Sequence, residues 1–166
     1  LSNGGLVGPV VGTQMSNLGL ERALEQAGAK LLRAKVGDRY VMEMLKAHHG
    51  VLGGETSGHT ICLDKTTTGD GIVTALQVLT VLAREGRGLA EAAAGMSKYP
   101  QVLINVPVSG AAADALKAPA VVAAQAEIEA QLGSRGRILI RASGTYPLMR
   151  VIVEAEAVCE TRRAAD

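Results

Sequence analysis

Up to residue 88 the apolar spacing of this chain switches repeatedly between the two-residue period of a strand and the 3.6-residue period of a helix. That alternation restricts it to layered α/β arrangements. Pro9 to Thr13 is a short β-branched run ending in polar residues. Asn17 is placed to cap a helix whose apolar positions Leu20, Ala23, Leu24 and Ala27 keep helical spacing, with Gly28 as its stop. Lys30 to Val36 reads as a second strand. Asp38 is the expected cap of a second helix, with Val41, Met44, Leu45 and His48 on one face and His48 as a partly buried helix-end residue. Val51 to Glu55 and Thr60 to Asp64 read as two short strands around a glycine-rich connection. A longer helix follows, capped by Thr68 or Asp70. Its stripe of Ile72, Ala75, Leu76, Leu79, Leu82 and Ala83 is expected to face a core.

Beyond Gly86 to Gly88, the expected linker, the pattern changes. A short Ala-rich helix (Leu89 to Ala94) precedes Gln101 to Val108, where Val102, Ile104, Val106 and Val108 alternate as in a strand. Lys117-Ala118-Pro119 leads into a helix carrying Val121, Ala124, Ile128 and Leu132, closed by Gly133. Arg137 to Ala142 and Leu148 to Ala155 read as two strands joined by a tight loop. The expected fold class is therefore α/β followed by α+β. The expected domains are a layered α/β unit over 1–88 and a small α+β unit over 89–166.

Composition removes several functions. With 17 basic and 16 acidic residues the formal net charge is +1, which offers no general field for nucleic acid or an anionic membrane. There is no Trp or Phe, and only Tyr40, Tyr99 and Tyr146 are aromatic, so the core is aliphatic and single strands find no stacking platform. Cys62 and Cys159 form no CxxC pair, and His48, His49 and His59 lack metal-ligand company; a cytoplasmic chain without its own metal is expected. The longest apolar stretch, Ile72 to Ala83, is too short to span a bilayer. The start at Leu1, without Met or signal-peptide regions, leads to the expectation of a fragment.

Two stretches carry chemistry. In Gly53-Gly54-Glu55-Thr56-Ser57-Gly58-His59 the glycines allow close backbone approach of a ligand, and Glu55, Ser57 and His59 alternate acceptor and donor character suited to vicinal sugar hydroxyls. On the residues alone, a glycine-rich turn with solvated side chains is the simpler account. In Arg141-Ala142-Ser143-Gly144-Thr145-Tyr146-Pro147-Leu148-Met149-Arg150, two arginines flank a turn with two hydroxyls and a glycine amide. Guanidinium forks match phosphate oxygens, and turn amides can form an anion nest. Phosphate is the better account there, against solvated arginines on an ordinary hairpin. A third stretch, Asp64 to Gly71, lacks the GxxxxGK[ST] spacing of a nucleotide site and reads as a helix entry.

Together these residues resemble the phosphohexomutase (phosphoglucomutase/phosphomannomutase) superfamily over nearly the whole chain. Gly54-Glu55-Thr56-Ser57-Gly58-His59 is similar to its GE-x-SGH sugar loop, and Arg141 to Arg150 to its R-x-SGT-x-P-x-x-R phosphate loop. Met15 to Glu21, Val36 to Val41 and Thr67 to Val73 resemble the branch acting on hexosamine phosphates. The resemblance implies the third, sugar-binding domain and the fourth, phosphate-binding domain of a four-domain enzyme. It implies Glu55, Ser57 and His59 as readers of sugar hydroxyls, and Arg141, Ser143, Gly144, Thr145 and Arg150 as the phosphate clamp. The family's catalytic phosphoserine and Mg²⁺ loop belong to the first two domains and match nothing here. No catalytic residue is therefore expected in this chain. Its partners would be the N-terminal half of the same enzyme and a small hexosamine phosphate; a stand-alone hexose-phosphate-binding module is the alternative. Thr56 stands where this branch usually has Gln, and Tyr146 where the family usually has Glu.

Overall fold

A computed structural model describes residues 6–143 and 146–164. The chain divides into two compact units, Leu1–Ser97 and Lys98–Asp166. The short helix placed in the second domain by a boundary at 88/89 falls in the first unit.

In the first unit, strand β1 (Val10–Thr13) leads through helix α1 (Leu18–Gln26) to β2 (Leu31–Ala34), then through α2 (Asp38–Ala47) to β3 (Leu52–Gly54) and its hairpin partner β4 (Thr60–Cys62). The sheet order is β2-β1-β3-β4, with β1 parallel to β2 and β3, and β4 antiparallel to β3. Leaving β1, the chain crosses to one side, and leaving β2 it returns past β1. Right-handed crossovers of opposite direction put α1 and α2 on opposite faces. The C-terminal end of β1 is thereby a topological switch point, the crevice where open α/β sheets bind ligands. The segments after β1, β2 and β3 all leave the sheet at this edge.

Local chemistry explains these elements. Asn17 caps α1 by accepting the Gly19 N–H at 3.0 Å. Arg33 on β2 ties down the segment after β1, donating to the carbonyls of Thr13 and Ser16 and pairing with Glu21 at 2.8 Å. The core is aliphatic, as expected: Val11, Ala34, Val41, Leu45 and Ile61 are buried together. His48 is exposed rather than partly buried: it is the C-cap residue of α2, its backbone already off the helical conformation that carries Val41 and Leu45 into the core. The expected side-chain cap from Asp38 is also absent. Gly37 is the N-cap residue, and among the described residues the Asp38 carboxylate accepts only the neighbouring Arg39 N–H.

Of the two caps expected for helix α3 (Gly71–Glu85), Thr68 and Asp70, it is Asp70 that serves: its Oδ1 accepts the N–H groups of Ile72 at 2.8 Å and Val73 at 2.9 Å. Asp70→Ala is expected to cost about 1 kcal/mol of first-unit stability in urea unfolding, the usual worth of such a cap. The stripe expected to face a core is instead exposed at Ile72, Leu76 and Leu79. Toward β4 the helix presents Thr74, Gln77, Val78 and Leu82, which line an apolar gap with Leu52, Thr60 and Cys62. Helix α4 (Leu89–Ala93) ends the unit's elements.

The second unit is a three-stranded antiparallel sheet of order β5-β7-β6, formed by β5 (Gln101–Pro107), β6 (Gly136–Ala142) and β7 (Leu148–Ala155). Between β5 and β6 run α5 (Ala112–Ala115) and α6 (Pro119–Leu132), and α7 (Val158–Arg163) follows β7. Pro119 opens α6, and Leu132 packs with Ile138, Val153 and Ala155 into the core. The short α5 and α7 carry no sequence signal: Ala111, ahead of α5, gives no side-chain cap.

Candidate functional site

The two predicted clusters lie in different units and are described separately. In the first unit, Glu55 continues β3 beyond its last strand residue, and the hairpin closes around it. Glu55 N–H donates to the His59 carbonyl at 2.9 Å, and its own carbonyl accepts the Gly58 N–H at 3.1 Å. Thr56, Ser57 and His59 are exposed on this tip, and the side chains of Ser57 and His59 hydrogen-bond no other described residue. Glu55 is half-buried and differs from them. Its Oε1 accepts the Gly37 N–H at 2.6 Å. The hairpin thus brings the three expected readers to the C-terminal edge of the sheet, beside the segment after β2.

The glycines before Glu55 do something other than admit a ligand. A Cβ on Gly53 would stand 2.8 Å from both the Val11 carbonyl oxygen and Val41 Cγ1, and 3.0 Å from Leu45 Cδ1. A Cβ on Gly54 would stand 2.8 Å from the His59 carbonyl oxygen. The close approach they permit is that of β1, α2 and the opposite hairpin strand, so the pair is structural.

In the second unit, Arg141 and Arg150 sit directly opposite each other in the β6–β7 ladder. Cross-strand partners share a face, and like charges directly opposite are unfavourable. Neither guanidinium has a carboxylate partner among the described residues, and both Nε atoms are buried with no hydrogen-bond partner. Burial, and after it the charge of Arg150, pushes the Arg141 pKa below its ordinary value. Ser143 receives the Tyr146 N–H at 3.4 Å through its Oγ, and its own N–H donates to the Leu148 carbonyl at 3.0 Å. Tyr146, in the position of the usual Glu, is exposed and offers the arginines no charge. Gly144 and Thr145, also expected in the clamp, lie outside the described residues.

Two neighbours escaped the sequence reading. Asn105 on β5 is the ladder partner of Arg150 on its other side, which continues the row across all three strands. Strand alternation places it, but only the β5–β7 register, a tertiary feature, brings it to Arg150. Gly37 directly precedes Asp38, the expected cap, and its bond to Glu55 spans a sequence separation of 18. Among the described residues no three His, Cys, Asp or Glu side chains cluster to hold a metal ion. Among them also, no helix is long and apolar enough to cross a membrane.

A half-buried arginine pair on a small antiparallel sheet, and a Glu-Ser-His hairpin at the edge of an α/β sheet, are the two candidate ligand-binding features of the chain. Sequence comparison specifies the class. Phosphoglucomutase/phosphomannomutase alpha/beta/alpha domain III matches residues 1–99, and the C-terminal domain of the same proteins matches residues 103–166. The chain belongs to the phosphoglucomutase/phosphomannomutase family. Phosphoglucosamine mutase of Alkalilimnicola ehrlichii is 55% identical over 166 residues, covering 100% of this chain and 37% of the relative. The enzyme of the same name from Thioalkalivibrio sulfidiphilus is 59% identical over 153 residues, 91% of this chain and 34% of the relative. The chain thus spans little more than a third of the length of these relatives. Among solved structures, an Aspergillus fumigatus N-acetylphosphoglucosamine mutase has a TM-score of 0.76 at 22% identity, covering 95% of this chain and 36% of that one. An N-acetylglucosamine-phosphate mutase in its substrate complex gives 0.75 at 19% identity, covering 94% and 37%. These structures establish the fold.

Proposed function

We propose that this chain supplies substrate recognition to a phosphoglucosamine mutase, which interconverts glucosamine 6-phosphate and glucosamine 1-phosphate through a phosphoserine and a bisphosphate intermediate. The observation that carries the reading is the Arg141–Arg150 pair. Two cations face each other with buried, unsatisfied Nε donors. A fold retains such an arrangement at a cost, and a phosphate dianion removes that cost by accepting from both guanidinium forks. The identity to enzymes of that name supports the choice of sugar.

The reaction requires one sugar to be held in two opposite orientations, since each end exchanges its phosphate in turn. In this reading Arg141 and Arg150, with Ser143, Gly144 and Thr145, hold the phosphate that is not reacting. Glu55, Ser57 and His59 read ring hydroxyls, each of which both donates and accepts, so either orientation satisfies them. The contribution is positioning and charge neutralisation, the main sources of rate in phosphoryl transfer. The phosphoserine and the Mg²⁺ belong, in this reading, to the part of the enzyme outside these residues, which is cytoplasmic like its substrate.

The test is an NMR titration of the chain with glucosamine 6-phosphate, glucosamine and inorganic phosphate. Glucosamine 6-phosphate should perturb the amides of 55–59 and of the β6–β7 ladder around Arg141 and Arg150. Glucosamine should leave that ladder unmoved. A sugar phosphate that perturbs neither region defeats the proposal. With Mg²⁺ and glucose 1,6-bisphosphate, the 166-residue chain is expected to show no mutase turnover; turnover that survives repurification would place the transferring group within it.

A further inference from the structure

A carboxylate left free at the rim of a sheet samples many rotamers, and ordering it on binding weakens recognition. Glu55 is not left free. Its Oε1 is held by the Gly37 N–H, contributed by the segment between β2 and α2. Gly37 is the N-cap residue of α2, a helix with no side-chain cap of its own. The Glu55 carboxylate, from the β3–β4 hairpin, therefore sits where orphan N–H groups and the helix dipole favour negative charge. Two features fix the direction of that N–H. The backbone at Gly37 has φ +126 and ψ 129, a region closed to residues with a Cβ. A Cβ there would also stand 3.3 Å from Tyr40 Cδ2, on a ring that carries the Lys35 ammonium 5.7 Å from its centroid. Glu55 Oε2 has no hydrogen-bond partner among the described residues.

We infer that Gly37 is a positioning residue for Glu55: its amide holds one carboxylate oxygen and leaves the other to accept from the ligand. The inference deepens the sugar-hydroxyl reading and rests on it. It also narrows the ligand's chemistry. An ionised carboxylate only accepts, so the group meeting Oε2 must be a donor, a hydroxyl or an ammonium, and a fluorine in its place is refused.

The contact is tested on the chain itself. Glu55→Ala is expected to speed hydrogen exchange at the Gly37 amide about tenfold, the scale of one charge-assisted bond, while amides of β1 keep their rates. Glu55→Gln, which retains a neutral acceptor, should fall between. An unchanged Gly37 rate in Glu55→Ala overturns the inference and leaves the sugar reading standing. Titrated with glucosamine 6-phosphate, Gly37→Ala should weaken binding about as much as Glu55→Ala, roughly tenfold, and the double variant no further. Losses that add would mean Gly37 acts on its own, against the inference. A chain that keeps the Glu55-dependent protection of Gly37 but binds no sugar phosphate would reduce the contact to a helix cap and defeat the sugar reading.

Discussion

Arg141→Met is expected to move stability and binding in opposite directions. Without ligand, the substitution removes a buried guanidinium nitrogen that has no partner and a charge directly opposite Arg150. An unsatisfied buried donor costs roughly 1–3 kcal/mol, so the second unit should gain about 1 kcal/mol, several degrees in Tm for a domain of this size. Binding of glucosamine 6-phosphate should fall by roughly tenfold to a hundredfold, from loss of charge-assisted bonds worth about 1.5–3 kcal/mol. Arg150→Met should behave likewise. In the double variant the stability gain should fall short of the sum, because either substitution alone already relieves the repulsion. Thermal unfolding and calorimetry on the same preparations decide it. An Arg141→Met chain that is less stable than wild type would make the pair a structural feature, and the phosphate assignment would lose its principal support.

Much of the fold can be read from local signals. Asn17 and Asp70 cap the helices they precede, because an N-cap is a contact between near neighbours and needs only a side-chain oxygen two or three residues before an amide. The alternation through Gln101 to Pro107 locates β5 for a similar reason. The misreadings share another origin. Asp38 is the right residue type for a cap, yet the helix behind it takes its acceptor from Glu55, on a hairpin that only the sheet order brings near. Gly53 looks like a glycine of a binding loop until the packing of α2 against β1 is known. The stripe on α3 has helical periodicity, but periodicity does not say what a face meets, and Ile72, Leu76 and Leu79 meet solvent. Of the candidate site, residue types and motif order are legible: Glu55, Ser57 and His59 do share one hairpin, and Arg141 and Arg150 do face each other. What local signals do not carry is the cross-strand register, the orphaned Nε atoms and the restraint on Glu55. All three are tertiary.

The same face of the same strand pair holds a third arginine whose removal should have the opposite consequence. Arg137 lies four residues before Arg141 on β6, and its ladder partner is Glu154 rather than another cation. Their Nε and Oε2 atoms are 2.7 Å apart, with the Glu154 side chain fully inside the protein. Arg137→Met takes this guanidinium away from a buried carboxylate. Breaking a buried pair from one side costs about 3–5 kcal/mol, a large part of the roughly 5–15 kcal/mol that holds a typical domain together. The second unit should therefore be largely unfolded under mild denaturant in Arg137→Met and should gain stability in Arg141→Met. Replacing both partners, Arg137→Met with Glu154→Leu, should recover most of the loss, since a buried ion pair is commonly matched by apolar residues of similar volume. Chemical unfolding of the three variants tests this directly. If Arg137→Met and Arg141→Met shift the midpoint in the same direction, the two arginines are equivalent supports of the sheet. Opposite shifts would mean that the charge at 137 serves the fold and the charge at 141 is kept for a ligand.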